Sequence, residues 1–494
     1  MILTVVKQKI LRAFILLAFV FGSLYLIKTS GERGLLSVMS ILSGCITLAW
    51  IIFSGNNWWI LMPVSVAFGG TFLYEYKFYV HEISLIICMI ALLPVVALRR
   101  KDLPRRGPLP WSFYGLLAVF VINCATSCYM SESQEAASLG SIARAFLQGF
   151  WAVLFGVLFY WYGLLKPRLL LSLLYVAFLA RAALGIVVAI FEDFFVIPKV
   201  GFAFMSATAG VFDFRVTGIQ LALIGYVFAQ LAKQNLWKMI NYGIMIVAVL
   251  LVALGGGRVS VGMICSVPLV WGLIQKRIGT LAVICALGLS LIFILNQYPS
   301  MLYKFPDTAQ RALSMLVAET STKWMDWHTY NQASDYWHSY LSELGWQRWT
   351  QNPMTLILGN RVSSFDETFN AYSVTLEIKA EIAARLGSFE SGLWTVLVLV
   401  GGAGALLYIG IFYFLLRQPF DLLRKEGIKS PAHAFAFLAI IQLSLWILFC
   451  WIAGGFPSYE LMMAIFAKAA CTDEKSMTVP PQTAELFSAI SGKI

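Results

Sequence analysis

Long apolar runs separated by short polar interruptions repeat along the chain, and the length of each run decides what it can form. A helix crosses roughly 30 Å of hydrocarbon, with every amide bonded internally, only when about 20 mostly apolar residues follow one another. Runs of that kind lie near residues 11–27, 35–53, 58–74, 83–98, 112–129, 147–165, 169–191, 216–233, 238–257, 259–275, 279–296, 392–416, 432–452 and 459–471. The pattern predicts an all-α fold, a polytopic transmembrane helical bundle of about fourteen spans. One long connection, residues 297–391, interrupts it between the eleventh and twelfth spans. The expected organisation is a first bundle over 1–296, a large extracytoplasmic loop over 297–391, three further spans over 392–471 and a polar tail over 472–494. Pro480 and Pro481 make that tail a candidate for disorder.

Composition agrees: 60% of the 494 residues are hydrophobic and only 12% charged, with a mean hydropathy of +0.78. A soluble domain carries about 25% charged residues. Cys45, Cys88, Cys124, Cys128, Cys265, Cys285, Cys450 and Cys471 all fall in or beside apolar runs without zinc-ligand spacing, so they read as small core residues.

The net charge of +11 changes the picture only through its distribution. Basic residues collect in short clusters between apolar runs, which excludes a nucleic-acid partner and orients the spans instead. Lys7, Lys9 and Arg12 place the N-terminus in the cytoplasm, before an uncleaved first span. Arg99, Arg100, Lys101, Arg105 and Arg106, then Lys166 and Arg168, Lys233 and Lys238, Lys276 and Arg277, and Arg417, Arg424, Lys425 and Lys429 then fall on the same side. The long connection therefore faces outward, away from the cytoplasm, in a multi-pass membrane protein. Its stretch from Trp324 to Trp349 interleaves Trp324, Trp327, Trp337, Trp346 and Trp349 with His328, Asp335, His338 and Arg348. This predicts a pair of interfacial helices, whose aromatic rings also suit sugar faces.

The chemistry-bearing residues are mostly arginines. No Walker loop, dinucleotide fingerprint, HExxH or GxSxG is present. Arg181 sits in the middle of the seventh span, where an ionised side chain normally meets a polar cavity or a partner. Arg215 and Arg258 fall at the outer ends of the eighth and tenth spans, and Arg361 falls in the outer loop. Guanidinium keeps its charge and grips phosphate oxygens at two points, so three such groups on one face suit a diphosphate. Membrane-lipid headgroups are the commoner ligand of a single interfacial arginine.

Four short pieces in this order resemble the O-antigen ligase and polymerase family of bacterial membrane glycosyltransferases. FRVTG, with Arg215 and Gly218, is similar to an Arg-x-x-Gly segment opening a span, and GGGRVSVG to a Ser-Arg-Gly segment on the next hairpin. NPMTLILGNRVSSF resembles a run late in the outer loop. SFESGLWTVLVLVGGAG resembles the stretch re-entering the membrane, with Gly401 and Gly404 as its Gly-x-x-Gly pair. The sequence departs from the family where Glu390 and Ser391 occupy the His-Asn position and where Gly257, Arg258 and Val259 replace Ser-Arg-Gly.

The resemblance implies transfer of a glycan from a polyprenyl-diphosphate-linked oligosaccharide to a sugar hydroxyl on the outer face. A polymerase joining lipid-linked repeat units comes first, and a ligase delivering finished glycan to a lipid or protein acceptor second. A flippase for the lipid-linked oligosaccharide is the alternative of another class, and other polysaccharide assembly proteins are candidate partners. The expected catalytic set is Glu390, Arg258 and Arg361, with Glu390 as proton acceptor. The expected substrate contacts are Arg215, Arg181, His338 and Gly218, with no cofactor or metal. Cysteines introduced one at a time test the orientation. Positions in 297–391 are expected to react with an impermeant thiol reagent in intact cells, and positions in 99–106 only after permeabilisation; the opposite pattern would invert every side assignment.

Overall fold

The computed structural model describes residues 72–73, 78–79, 111–129, 166–191, 214–305, 307–314, 317, 325–359 and 389–476. These residues are helical, apart from a two-residue antiparallel pairing of β1 (Phe72–Leu73) with β2 (Phe78–Tyr79) and short connections. The helices are α1 (Trp111–Tyr129), α2 (Pro167–Ile190), α3 (Phe214–Leu231), α4 (Asn235–Leu254), α5 (Arg258–Ile274) and α6 (Ile278–Gln297). A 3-10 turn, Pro299–Lys304, leads into α7 (Asp307–Ser314), α8 (Met325–Trp349) and α9 (Pro353–Leu358). The chain ends in α10 (Gly392–Glu426), α11 (Pro431–Phe449) and α12 (Ser458–Ser476). Among the described residues, stretches of α2, α3, α4, α10 and α11 are long and apolar enough to cross a membrane.

These helices coincide with expected spans, because the hydropathy that sets a span also sets where its helix can end. The spans expected at 11–27, 35–53, 83–98 and 147–165 lie outside the described residues, as does 58–74 apart from Phe72 and Leu73. Those two residues, expected to close a span, pair instead with Phe78–Tyr79. The expected pair of interfacial helices is one 25-residue helix, α8. Its sequence contains no proline and a single glycine, Gly345, so nothing stops the helix between Met325 and Trp349. The tail expected from Thr472 begins as helix, since α12 runs on to Ser476.

The chain divides into two compact units. The first combines Met1–Asp102 with Leu169–Asn331, and the second combines Leu103–Arg168 with Gln332–Ile494.

In the first unit α3 and α4 form a hairpin packed almost backbone to backbone. A Cβ on Gly218 would stand 2.6 Å from the Ala248 carbonyl oxygen and 2.6 Å from Val252 Cγ2. Tyr175 of α2 joins this pair by donating a hydrogen bond to Asn241 Oδ1 (2.6 Å) and stacking on Phe228 with ring centroids 4.5 Å apart. Short turns join α3 to α4, α4 to α5 and α5 to α6, so successive helices run antiparallel. Arg215 and Arg258 therefore share one end of the hairpins, and Lys233, Lys238, Lys276 and Arg277 share the other. The short helix α7 lies against α4 and α5 with Arg311 and Ala312 buried.

In the second unit α10 packs against α1, α11 and α12, and α9 lies in contact with α10 and α1. Asn352 caps α9 by accepting from the Thr355 amide (2.9 Å), while Thr355 Oγ1 accepts from the Asn352 amide (3.1 Å). The last residues of α9 meet a break inside α10. Gly401 adopts φ +67° and ψ −178°, a conformation essentially reserved for glycine, and divides α10 into two helical segments. A side chain there would overlap the Ile357 carbonyl oxygen and the Gly359 amide nitrogen. Gly359, at φ +89°, meets the Leu399 carbonyl in turn, so the two chains cross at their glycines.

Gly401→Ala is expected to cost about 1–3 kcal/mol in backbone strain alone, before the overlap is counted. Gly402→Ala, whose Cβ would find only the Leu356 carbonyl oxygen at 3.4 Å, serves as control. Thermal unfolding in detergent is expected to show a lower midpoint for the first and a near-normal one for the second. Equal midpoints would contradict the crossing.

Candidate functional site

The arginine end of the first unit is built by three glycines. Gly255, Gly256 and Gly257 connect α4 to α5, with Gly256 at φ +69°. Arg215, the second residue of α3, lays its stem across this turn. A Cβ on Gly255 would stand 2.6 Å from Arg215 Cγ, and one on Gly257 would stand 2.7 Å from Arg215 Cδ. The run of glycines is thus the space the arginine occupies. Arg258 follows as the first residue of α5, and both arginines are half-buried. Arg215 and Arg258 thus bring two permanently charged side chains to one turn. An anion with several oxygens can accept from two such groups, which is how arginine pairs recognise phosphates.

Arg181 is 5% exposed within α2, in the same unit. Gly218 sits at the α3–α4 contact, where the close approach of Ala248 and Val252 already requires a residue without a side chain. Arg361 lies outside the described residues. Arg311, which the sequence reading passed over, is a further buried arginine on α7. Its signal was weak, because a lone arginine in an eight-residue polar stretch looks solvated.

In the second unit the segment entering α10 is fixed on both flanks of Glu390. On one side Phe389, 1% exposed, packs with Val398 against Leu344, Trp349 and Trp394. On the other, the Ser391 hydroxyl donates to the Cys450 carbonyl (2.8 Å), and the amides of Gly392 and Leu393 donate to the carbonyls of Ala453 (3.2 Å) and Cys450 (3.0 Å). Gly392 leaves room for the Trp446 indole, which donates from Nε1 to the Gly455 carbonyl (3.0 Å). Glu390 between them has φ +50°, in the left-handed region that costs a glutamate conformational energy.

The helix α8 brings two side chains to that carboxylate. Gly345 lets α8 approach Trp394 of α10 closely, since a Cβ there would stand 2.9 Å from the Trp394 Cβ and ring. Trp346, Trp349 and Trp394 then cluster with ring centroids 5.7 to 6.4 Å apart. About two turns earlier on α8, Trp337 donates from Nε1 to Glu390 Oε2 (3.0 Å). His338 Nδ1 stands 3.7 Å from the same oxygen, with both side chains about one third exposed. The structure thus joins Glu390 and His338, two expected site residues far apart in sequence, and adds Trp337, which had been read only as part of the aromatic stretch.

Among the described residues, no group of three or more His, Cys, Asp or Glu side chains is arranged to hold a metal ion. No protein-family model matches the chain, and no curated protein matches it.

Proposed function

We propose that the chain is an extracytoplasmic polysaccharide polymerase of a bacterial inner membrane, transferring glycan from a polyprenyl-diphosphate donor to a sugar hydroxyl. The observation that carries this reading is Arg215 laid across the Gly255–Gly257 turn that opens the helix of Arg258. The reaction needs two things from the protein. The diphosphate leaving group gains negative charge as its bond to the sugar breaks, and fixed guanidiniums stabilise that charge. The attacking hydroxyl must lose its proton as it bonds, and the His338–Glu390 pair offers an acceptor. The resemblance to the O-antigen ligase and polymerase family supports the same chemistry, and a ligase differs only in the acceptor it uses.

Arg181 favours a second reading. A buried arginine within an apolar helix is what a flippase would need to conduct a lipid diphosphate through the bilayer. Arg215 and Arg258 lie together at one end of their hairpins, which favours a site on one face.

Arg258→Lys separates a phosphate grip from simple charge, because an ammonium cannot reproduce the planar two-point contact. Glycan output measured at matched expression is expected to fall by about tenfold or more, the equivalent of roughly 1.4 kcal/mol. A lysine variant with normal output would remove Arg258 from the leaving-group site.

A further inference from the structure

Resting on the transferase reading, we infer that Trp337, Glu390 and His338 form a relay in which His338 takes the proton of the acceptor hydroxyl and Glu390 is its positioning residue. The sequence alone pointed to Glu390 as the proton acceptor; its surroundings argue for the other role. The indole N–H of Trp337 donates to Glu390 Oε2 at 3.0 Å and so fixes where the carboxylate stands. That anion stands 3.7 Å from His338 Nδ1, about half an ångström beyond a hydrogen bond, a gap that catalytic contacts commonly close when substrate binds. A proton held on Nδ1 by the carboxylate leaves Nε2 as the acceptor nitrogen. The left-handed backbone of Glu390 has a purpose in this arrangement. Phe389 and Ser391 are both anchored, and the unfavourable φ of +50° is retained at the residue between them, whose carboxylate faces α8.

The step balances without a cofactor. The acceptor oxygen forms its bond to the donor sugar carbon as its proton passes to His338 Nε2. The bond from that carbon to the diphosphate oxygen breaks, and its electron pair leaves with the polyprenyl diphosphate. The imidazolium then returns its proton to water.

Two measurements on full-length protein in lipid nanodiscs test the relay. The first is the nitrogen-15 signature of His338 in histidine-labelled protein, assigned among the four histidines by its loss in His338→Gln. Wild type supplied with lipid-linked oligosaccharide, so that the 3.7 Å gap closes, is expected to hold the neutral ring as the Nδ1–H tautomer. Glu390→Gly, chosen because glycine accepts the left-handed backbone, is expected to release the ring to the Nε2–H tautomer, and Glu390→Asp to retain the original. Trp337→Phe, which removes only the indole N–H, is expected to give a mixture.

The second measurement is the rate of glycan extension on a lipid-linked oligosaccharide. His338→Gln is expected to lose about 100-fold to 10,000-fold, and Glu390→Gly about 100-fold. Glu390→Asp is expected to recover part of the rate. An Nε2–H tautomer in wild type, or a tautomer indifferent to Glu390→Gly, would overturn the relay even if His338→Gln were inactive, and the transferase reading would stand. The expected tautomers with a normal rate in His338→Gln would overturn the catalytic role while the transferase reading stood, and the absence of any extension by wild type would overturn that reading itself.

Discussion

The five residues Phe389 to Leu393 enter α10 under constraint from both sides, and the second unit is organised around that entry. A buried aromatic ring holds one flank and hydrogen bonds to Cys450 and Ala453 hold the other. Backbone groups near a bilayer have few water partners, so bonds of this kind are required wherever a helix begins there. Because both flanks are fixed, the residue between them has no freedom to relax. Glu390 consequently keeps a left-handed backbone, and its carboxylate keeps its place beside Trp337 and His338.

Glycine makes each of the close approaches possible. Gly345 admits Trp394 against α8, Gly392 admits Trp446, and Gly359 and Gly401 cross where α9 meets the break in α10. In the first unit Gly218 brings α3 onto α4, and Gly255 and Gly257 make space for the stem of Arg215. Helices in a bilayer gain little from burying apolar side chains, since lipid is equally apolar, so close backbone packing carries a larger share of their association. The same contacts that hold the helices together also set the positions of the arginines and the carboxylate.

Much of this was legible in the sequence. Hydropathy placed the helices α1 to α6 and α11 within a few residues, because the length of an apolar run is a local property, whereas α10 and α12 run on past their apolar runs to Glu426 and Ser476. Alternation of spans also put Arg215 and Arg258 at one end. The glycines of LGGGRVSVG leave room for a close approach, but nothing in the sequence says that the stem of Arg215 fills it. The meeting of His338 with Glu390 was not legible, since it depends on Gly345 bringing α8 onto α10 across 52 residues of chain. Nor could the sequence show that Gly401, there matched with Gly404 to a Gly-x-x-Gly pair, marks a break in the helix. The continuity of α8 and the helical start of the tail were missed for a simpler reason. The first was expected as two helices and the second as a disordered tail, yet neither stretch contains a residue that stops a helix.

In the proposed reaction this chain makes a glycosidic bond at the expense of a lipid diphosphate. Reconstitution of the purified protein into liposomes with a polyprenyl-diphosphate-linked oligosaccharide tests it most directly, with glycan length and free polyprenyl diphosphate followed together. The account predicts longer lipid-linked glycans and one polyprenyl diphosphate released for each bond formed. Oligosaccharide of unchanged length, carried intact from one leaflet to the other, would contradict it.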